Sequence, residues 1–402
     1  MGFIAYPIFV ALAVVLLRNP ERAEDPLTPF PPMDFVEYWS AARVHLAGGD
    51  PYDGNQLIES QRYAAGQPYK TQPTMLWTPP WTLPLYWPFG ALAPGPAHSF
   101  WTLVQVLASA LAAVWTWTAY GGKGGLWLLV PLLATATFVP VWWLLYFGQN
   151  TAFVLLGVAG FLYFRTKGHP LLAGVLVALT AIKPHLLALF GLAILLDAST
   201  RVGRRVLAGG VGAVLLASLA SLIPNREVFA KFLDAMTRPN SHAAPSVTEW
   251  QLPLLSYRFR EWIDHDQFRL QFLPILSLGA LLVPYWWFRR KTWDWQVEAP
   301  RLVVASLLAA PYGGWLFDLV ILIVPVVQAF VAFTRKLRLA AVVIAVPLHL
   351  LIALGTQLYP TFLHLQGRGY GLHDFLWVCP AIALWWLAAT RLARTSVPPT
   401  SP

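Results

Sequence analysis

Apolar residues in this chain neither alternate at strand period nor gather into narrow helical stripes; they run together. Twelve runs stand out, at roughly 3–17, 98–119, 126–147, 151–164, 170–182, 185–196, 206–223, 268–288, 302–311, 315–333, 339–357 and 374–390. Uninterrupted apolar runs predict helices in a bilayer, because a spanning helix satisfies all of its own backbone groups. The predicted fold is therefore an all-α polytopic membrane protein with about 12 transmembrane helices. Several runs fall short of the about 20 residues that a perpendicular crossing needs. Three short ones follow one another between 151 and 196, where Pro170 and Pro184 interrupt the pattern. Broken helices persist at membrane depth where other protein or a water-filled cavity takes up the freed backbone groups, so a cavity is expected there.

Charge between the runs orients them. With the N-terminus inside, one set of turns carries Lys123, Arg165, Lys167, Arg201, Arg204, Arg205, Arg289, Arg290, Lys291, Arg301, Arg335, Lys336, Arg338, Arg391 and Arg394, fifteen basic residues against Asp197, Asp294 and Glu298. The other side keeps the remaining thirteen basic and sixteen acidic residues. That asymmetry places the first set in the cytoplasm. Arg18 and Arg22 run against it, in company with Glu21, Glu24 and Asp25. The outer face then owns loops 18–97, 224–267 and 358–373. Residues 1–392 read as one membrane unit, and 393–402 as a disordered cytoplasmic tail rich in Pro, Thr and Ser.

Composition narrows the function. The chain is 57% hydrophobic and 12% charged, which excludes an ordinary soluble protein. A net charge of +9 is accounted for by the basic turns, and no nucleic-acid partner is expected. The single Cys379 excludes disulfides and a cysteine-ligated metal. Zinc spacings, phosphate-binding or dinucleotide-binding glycine patterns and a serine-hydrolase elbow are absent, so neither metal nor cofactor is expected. Twenty Trp, many near run ends, suit the two membrane interfaces. The first run has no Lys or Arg ahead of it and reads as a retained span rather than a signal peptide.

Candidate chemistry sits on the outer side. Asp34 and Glu37 head a helix in which Phe35, Tyr38, Trp39, Ala42 and Leu46 recur at helical period, ended by Gly48-Gly49. This reads as an interfacial amphipathic helix. Asp34 is either a plain N-cap with Glu37 completing a capping box, or a general base at the water–lipid boundary. Gly148-Gln149-Asn150-Thr151 opens a helix and reads as an anion site or an ordinary capped turn. Lys183-Pro184-His185 interrupts an apolar stretch, so Lys183 either snorkels or binds an anion. Asp318, shortly after Trp315, either pairs with a cation or touches substrate. His242, Glu249 and Trp250, and Arg368, His373 and Asp374, read as solvated loop residues.

The block Asp34-Phe35-x-x-Tyr38-Trp39-x-Ala41-Ala42, the turn Pro51-Tyr52-Asp53 and Thr78-Pro79-Pro80 resemble the outer loop of glycosyltransferase family 87. Gly148-Gln149-Asn150, Lys183-Pro184-His185 and Pro311-Tyr312-x-x-Trp315 recur in the order of that pattern, so the resemblance covers about 30 to 330. It implies a GT-C-type fold and a sugar, mannose in the best-known members, carried on a polyprenyl phosphate. It implies a glycolipid or polysaccharide acceptor at the outer surface of a bacterial inner membrane, with membrane lipids around the protein. By carry-over Asp34 is the catalytic base. Glu37, Tyr38, Gln149, Asn150, Lys183, His185, Trp315 and Asp318 are the expected substrate contacts. Two departures stand out. Leu316-Phe317-Asp318 follow Trp315 where the family often has His, and the short first span implies a start further upstream. A flippase for a lipid-linked sugar and a non-catalytic envelope scaffold are the competing readings.

Overall fold

A computed structural model of the chain describes residues 34–65, 72–237, 254–336, 346–356, 358–359 and 375–394. The run 3–17, loop residues Arg238, His242, Glu249, Trp250, Arg368, His373 and Asp374, and the tail from 395 lie outside the described residues. Regular structure among the described residues is helical. In chain order the helices are α1 (Phe35–Leu46), α2 (Gly54–Ala65), α3 (Leu83–Gly90), α4 (Pro94–Ala119), α5 (Leu129–Ala136), α6 (Val139–Phe147), α7 (Thr151–Thr166), α8 (Pro170–Val177) and α9 (Ala188–Asp197). Then follow α10 (Arg201–Ser221), α11 (Val228–Thr237), α12 (Leu255–Ile263), α13 (Leu273–Arg289), α14 (Trp295–Leu308), α15 (Ile323–Lys336), α16 (Val346–Thr356) and α17 (Val378–Arg394).

Four stretches are long and apolar enough to cross a bilayer: Pro94–Ala119, Arg201–Ser221, Phe268–Arg289 and Asp318–Arg335. Counting each bent pair as one span raises the number to six. The prolines explain the bends. A residue before proline is steered out of the helical region. Lys183, at φ −132° and ψ 70°, accordingly leaves the helix ahead of Pro184, and Pro170–Ile182 meets Pro184–Asp197 at 118°. Gly125–Ala136 meets Val139–Phe147 at 65° through an extended Phe138. Against the twelve crossings expected from the runs, four to six are counted among the described residues. Thr151–Thr166 and Val346–Thr356 are too short to count alone.

Burial separates interior helices from the rim. In Asp318–Arg335, 78% of the most apolar window is buried, against 17% in Arg201–Ser221 and in Phe268–Arg289. Exposed Leu215, Leu216, Leu219, Leu276 and Leu281 give those two helices the apolar outer surface that lipid tolerates. α8 and α10 approach backbone to backbone. A Cβ on Gly174 would meet the Val206 carbonyl, and one on Gly209 the Leu171 carbonyl, as small residues permit in membrane packing.

The segment 34–101 has an apolar core of its own. Phe35, Tyr38, Trp39, Leu57, Leu76, Leu83, Tyr86 and Phe89 gather around the fully buried Trp101, whose ring also meets Phe153 of α7 at 5.7 Å. Nine of the twelve α1 residues are buried, because α2, α3 and α4 pack around it. Helical period anticipates one apolar face; protein covers nearly the whole circumference. His45 ties α1 to the rim: its Nδ1 accepts from the Trp87 indole, so Nε2 donates to the Ser221 carbonyl at 2.9 Å.

Candidate active site

Asp34 precedes the first turn of α1. Its side chain makes no capping bond, so the capping-box reading fails on geometry. The Asp34 carbonyl alone accepts from the Glu37 N–H, at 3.0 Å. The carboxylate turns elsewhere, and its Oδ2 accepts from Gln149 Nε2 at 2.6 Å. Gly148 makes that contact possible. It ends α6 at φ +69°, in the left-handed region, where glycine carries no Cβ penalty. A Cβ there would stand 2.7 Å from Phe35 Cβ, so only glycine lets the turn approach α1. The Trp101 indole pins the turn by donating to the Gly148 carbonyl at 2.8 Å.

The orientation of the Gln149 amide is enforced from behind. Its Oε1 accepts from Tyr38 Oη at 2.9 Å and from Lys183 Nζ at 2.9 Å. Two donors on the oxygen leave the NH2 to face Asp34. Lys183, carried in by the α8–α9 break, also donates to Thr151 Oγ1 at 3.0 Å and to Asp318 Oδ1 at 2.7 Å. Thr151 donates in turn to Asp318 Oδ1 at 2.6 Å, and the Trp315 N–H reaches Asp318 Oδ2 at 3.2 Å. The Lys183 side chain is 13% exposed and the Asp318 side chain fully buried. Lys183 therefore does not snorkel, and Asp318 is an ion-pair partner. All three ammonium donors are in use, so a phosphate reaches Lys183 only by displacing one of them.

Asn150 lies beside this chain. Its Nδ2 donates to Tyr86 Oη at 2.8 Å, while its buried Oδ1 meets no partner among the described residues. Tyr86 in turn hydrogen-bonds with Thr78 and Thr82, and Tyr52 Oη donates to the Thr78 carbonyl at 3.0 Å. The Pro51-Tyr52, Thr78-Pro79-Pro80 and Gln149-Asn150 motifs thus converge on one buried hydroxyl cluster behind Asp34. His185 and Trp315 stand further out. His185 stacks on Tyr312 at 4.2 Å, and the Trp315 ring lies parallel to Phe317 at 5.9 Å.

Glu37 follows Asp34 by one turn and is buried. Its Oε1 accepts from the Trp77 N–H at 3.4 Å, a long bond. Burial, with the Asp34 charge as the second cause, pushes its carboxyl up to about 8. Trp77 itself is 39% exposed. Sequence reading passed over Trp77, Tyr86 and Thr82; the signal for Trp77 and Thr82 is their position flanking Thr78-Pro79-Pro80.

The sequence profile of glycosyltransferase family 87 matches residues 77–317, well over half of the chain. The chain belongs to glycosyltransferase family 87. The match takes in Thr78-Pro79-Pro80, Gln149, Asn150, Lys183, His185 and Trp315, and it stops one residue short of Asp318. Asp34, Glu37 and Tyr38 precede it. No curated protein and no solved structure matches the chain significantly. Family 87 membership and the apolar helices make this a membrane glycosyltransferase.

Proposed function

We propose that this family 87 glycosyltransferase moves a sugar, mannose by family expectation, from a polyprenyl-phosphate donor to a hydroxyl of a glycolipid or polysaccharide acceptor, with inversion. The reaction takes place on the outer side of a bacterial inner membrane crossed several times by the chain. One observation carries the proposal: a half-buried carboxylate, Asp34, is fixed by a side-chain amide whose orientation is itself enforced by a buried ion pair. Such positioning is what a general base requires.

Asp34 takes the proton of the acceptor hydroxyl as its oxygen attacks the anomeric carbon. The bond from that carbon to the phosphate oxygen breaks, and the polyprenyl phosphate leaves with the electron pair. Gln149 holds Oδ2 and so fixes the orientation of the carboxylate that takes the proton. The Lys183 ammonium supplies positive charge near the leaving phosphate, and the Asn150 Oδ1 awaits a donor such as a sugar hydroxyl. Apolar walls between the helices accommodate the prenyl tail.

The test is a transfer assay in proteoliposomes with a panel of radiolabelled polyprenyl-phosphate sugars and membrane acceptors. Product from one donor, formed with inverted configuration, supports the proposal and names the sugar. Movement of the lipid-linked sugar across the bilayer without product would replace it with transport. Donor binding with neither product nor movement would leave a scaffold.

A further inference from the structure

Glu37 stands apart from the other carboxyl groups of the site. Asp318 has an ammonium, a hydroxyl and a backbone N–H, and Asp34 has the Gln149 amide. Glu37 is 7% exposed and meets, among the described residues, only the Trp77 N–H at 3.4 Å. A buried carboxylate with one long hydrogen bond is costly to ionise, and such groups keep their proton instead. Lys183 offsets this only through space and least of the causes, since its three donors go to Gln149, Thr151 and Asp318. Asp34 aggravates it, because two neighbouring carboxyl groups resist joint ionisation. The titratable groups facing Glu37 are Asp34 and Tyr38 on its own segment, Tyr86 on α3 and Lys183 at the α8–α9 break.

We propose that Glu37 is a neutral hydrogen-bond donor, carrying its proton on Oε2 and offering it to a saccharide hydroxyl oxygen, while Asp34 alone removes the acceptor proton. This rests on the reading of Asp34 as base. The arrangement divides labour between two carboxyl groups one turn apart, one held by a side-chain amide and the other kept neutral by burial. The Trp77 backbone N–H occupies Oε1, which directs the proton to Oε2.

The experiment compares wild type, Glu37→Gln, Glu37→Ala and Asp34→Asn in transfer assays from about pH 6 to about pH 9.5, with donor and acceptor varied in turn. Glutamine keeps the shape and a donor, so Glu37→Gln is expected to retain kcat within about threefold. It should also lack the alkaline limb expected of wild type near pH 8. Glu37→Ala is expected to raise one KM about tenfold, the loss of one hydrogen bond. Whether that KM is the donor's or the acceptor's tells which sugar Glu37 holds. Inactive Glu37→Gln beside inactive Asp34→Asn overturns this inference and leaves the base assignment standing. So does an alkaline limb shared by wild type and Glu37→Gln. Active Asp34→Asn beside inactive Glu37→Gln would instead move the base to Glu37 and defeat the proposed mechanism. Because Glu37→Gln preserves volume, the result does not depend on the alanine variant folding.

Discussion

Helix α7 is tied to the 170–197 segment at both ends, about 21 Å apart at the helical rise of 1.5 Å per residue, by the Arg165–Asp197 ion pair at one and at the other by Thr151, hydrogen-bonded to the Lys183–Asp318 pair. At the Arg165 end, Arg165 meets Asp197 at 3.0 Å, and the Trp295 indole donates to the same carboxylate oxygen. The guanidinium also lies 5.6 Å from the Trp295 ring, so that cluster closes on itself. At the Thr151 end, Lys183 and Asp318 form an equally close pair, yet Lys183 passes on through Gln149 to Asp34. Both pairs hold the broken segment in place. Only one of them is wired to a carboxylate that faces away from it, and that connection separates a clamp from a site.

Breaking each pair should expose the difference. Lys183→Ala strands the Asp318 carboxylate in the interior, where an uncompensated charge costs about 3–5 kcal/mol. It also frees the Gln149 amide to turn, so transfer should fall by at least about a hundredfold. Thermal unfolding in detergent and the transfer assay read the two effects on one preparation. Gln149→Leu cuts the wire and spares the pair; it is expected to lose about 10- to 100-fold in kcat with a smaller loss of stability, of about 1–3 kcal/mol. Arg165→Met should cost roughly 1–3 kcal/mol, between the values for surface and buried pairs. Its turnover per folded molecule should stay within about twofold of wild type. A large loss of kcat in Arg165→Met with unchanged stability would erase the distinction between the two ends.

The smallest effect is in the pH dependence of stability. Glu37, raised from its ordinary value to about 8, holds a proton in the folded state that the unfolded chain releases. Its stabilising contribution is present in full below the ordinary carboxylate range and is lost as pH rises to about 8. Unfolding midpoints should therefore fall over that window in wild type and stay flatter in Glu37→Gln.

Much of this site could be read from the chain before any contact was known. Asp34, Gln149, Asn150, Lys183 and Asp318 each stand out as a polar residue where an apolar pattern breaks, and the break at Pro184 follows from proline sterics. What the pattern withholds is connection. Asp34 and Gln149 are 115 residues apart, and Lys183 and Asp318 are 135 apart, so no periodicity links them. Asp318 as ion-pair partner or substrate contact was undecidable for that reason. The capping box failed for a related one, since a tertiary amide outcompetes the local N–H groups for the Asp34 carboxylate. Of the twelve expected crossings, four to six are counted among the described residues. Apolar runs report burial in protein and burial in lipid alike, and several short helices here are buried in protein.

The measurement that bears most directly on the account is the turnover of Asp34→Asn beside wild type, with thermal unfolding of both. The account predicts a folded protein of near-native stability, because asparagine still accepts from Gln149, with transfer abolished. Sustained transfer by a folded Asp34→Asn variant would contradict it.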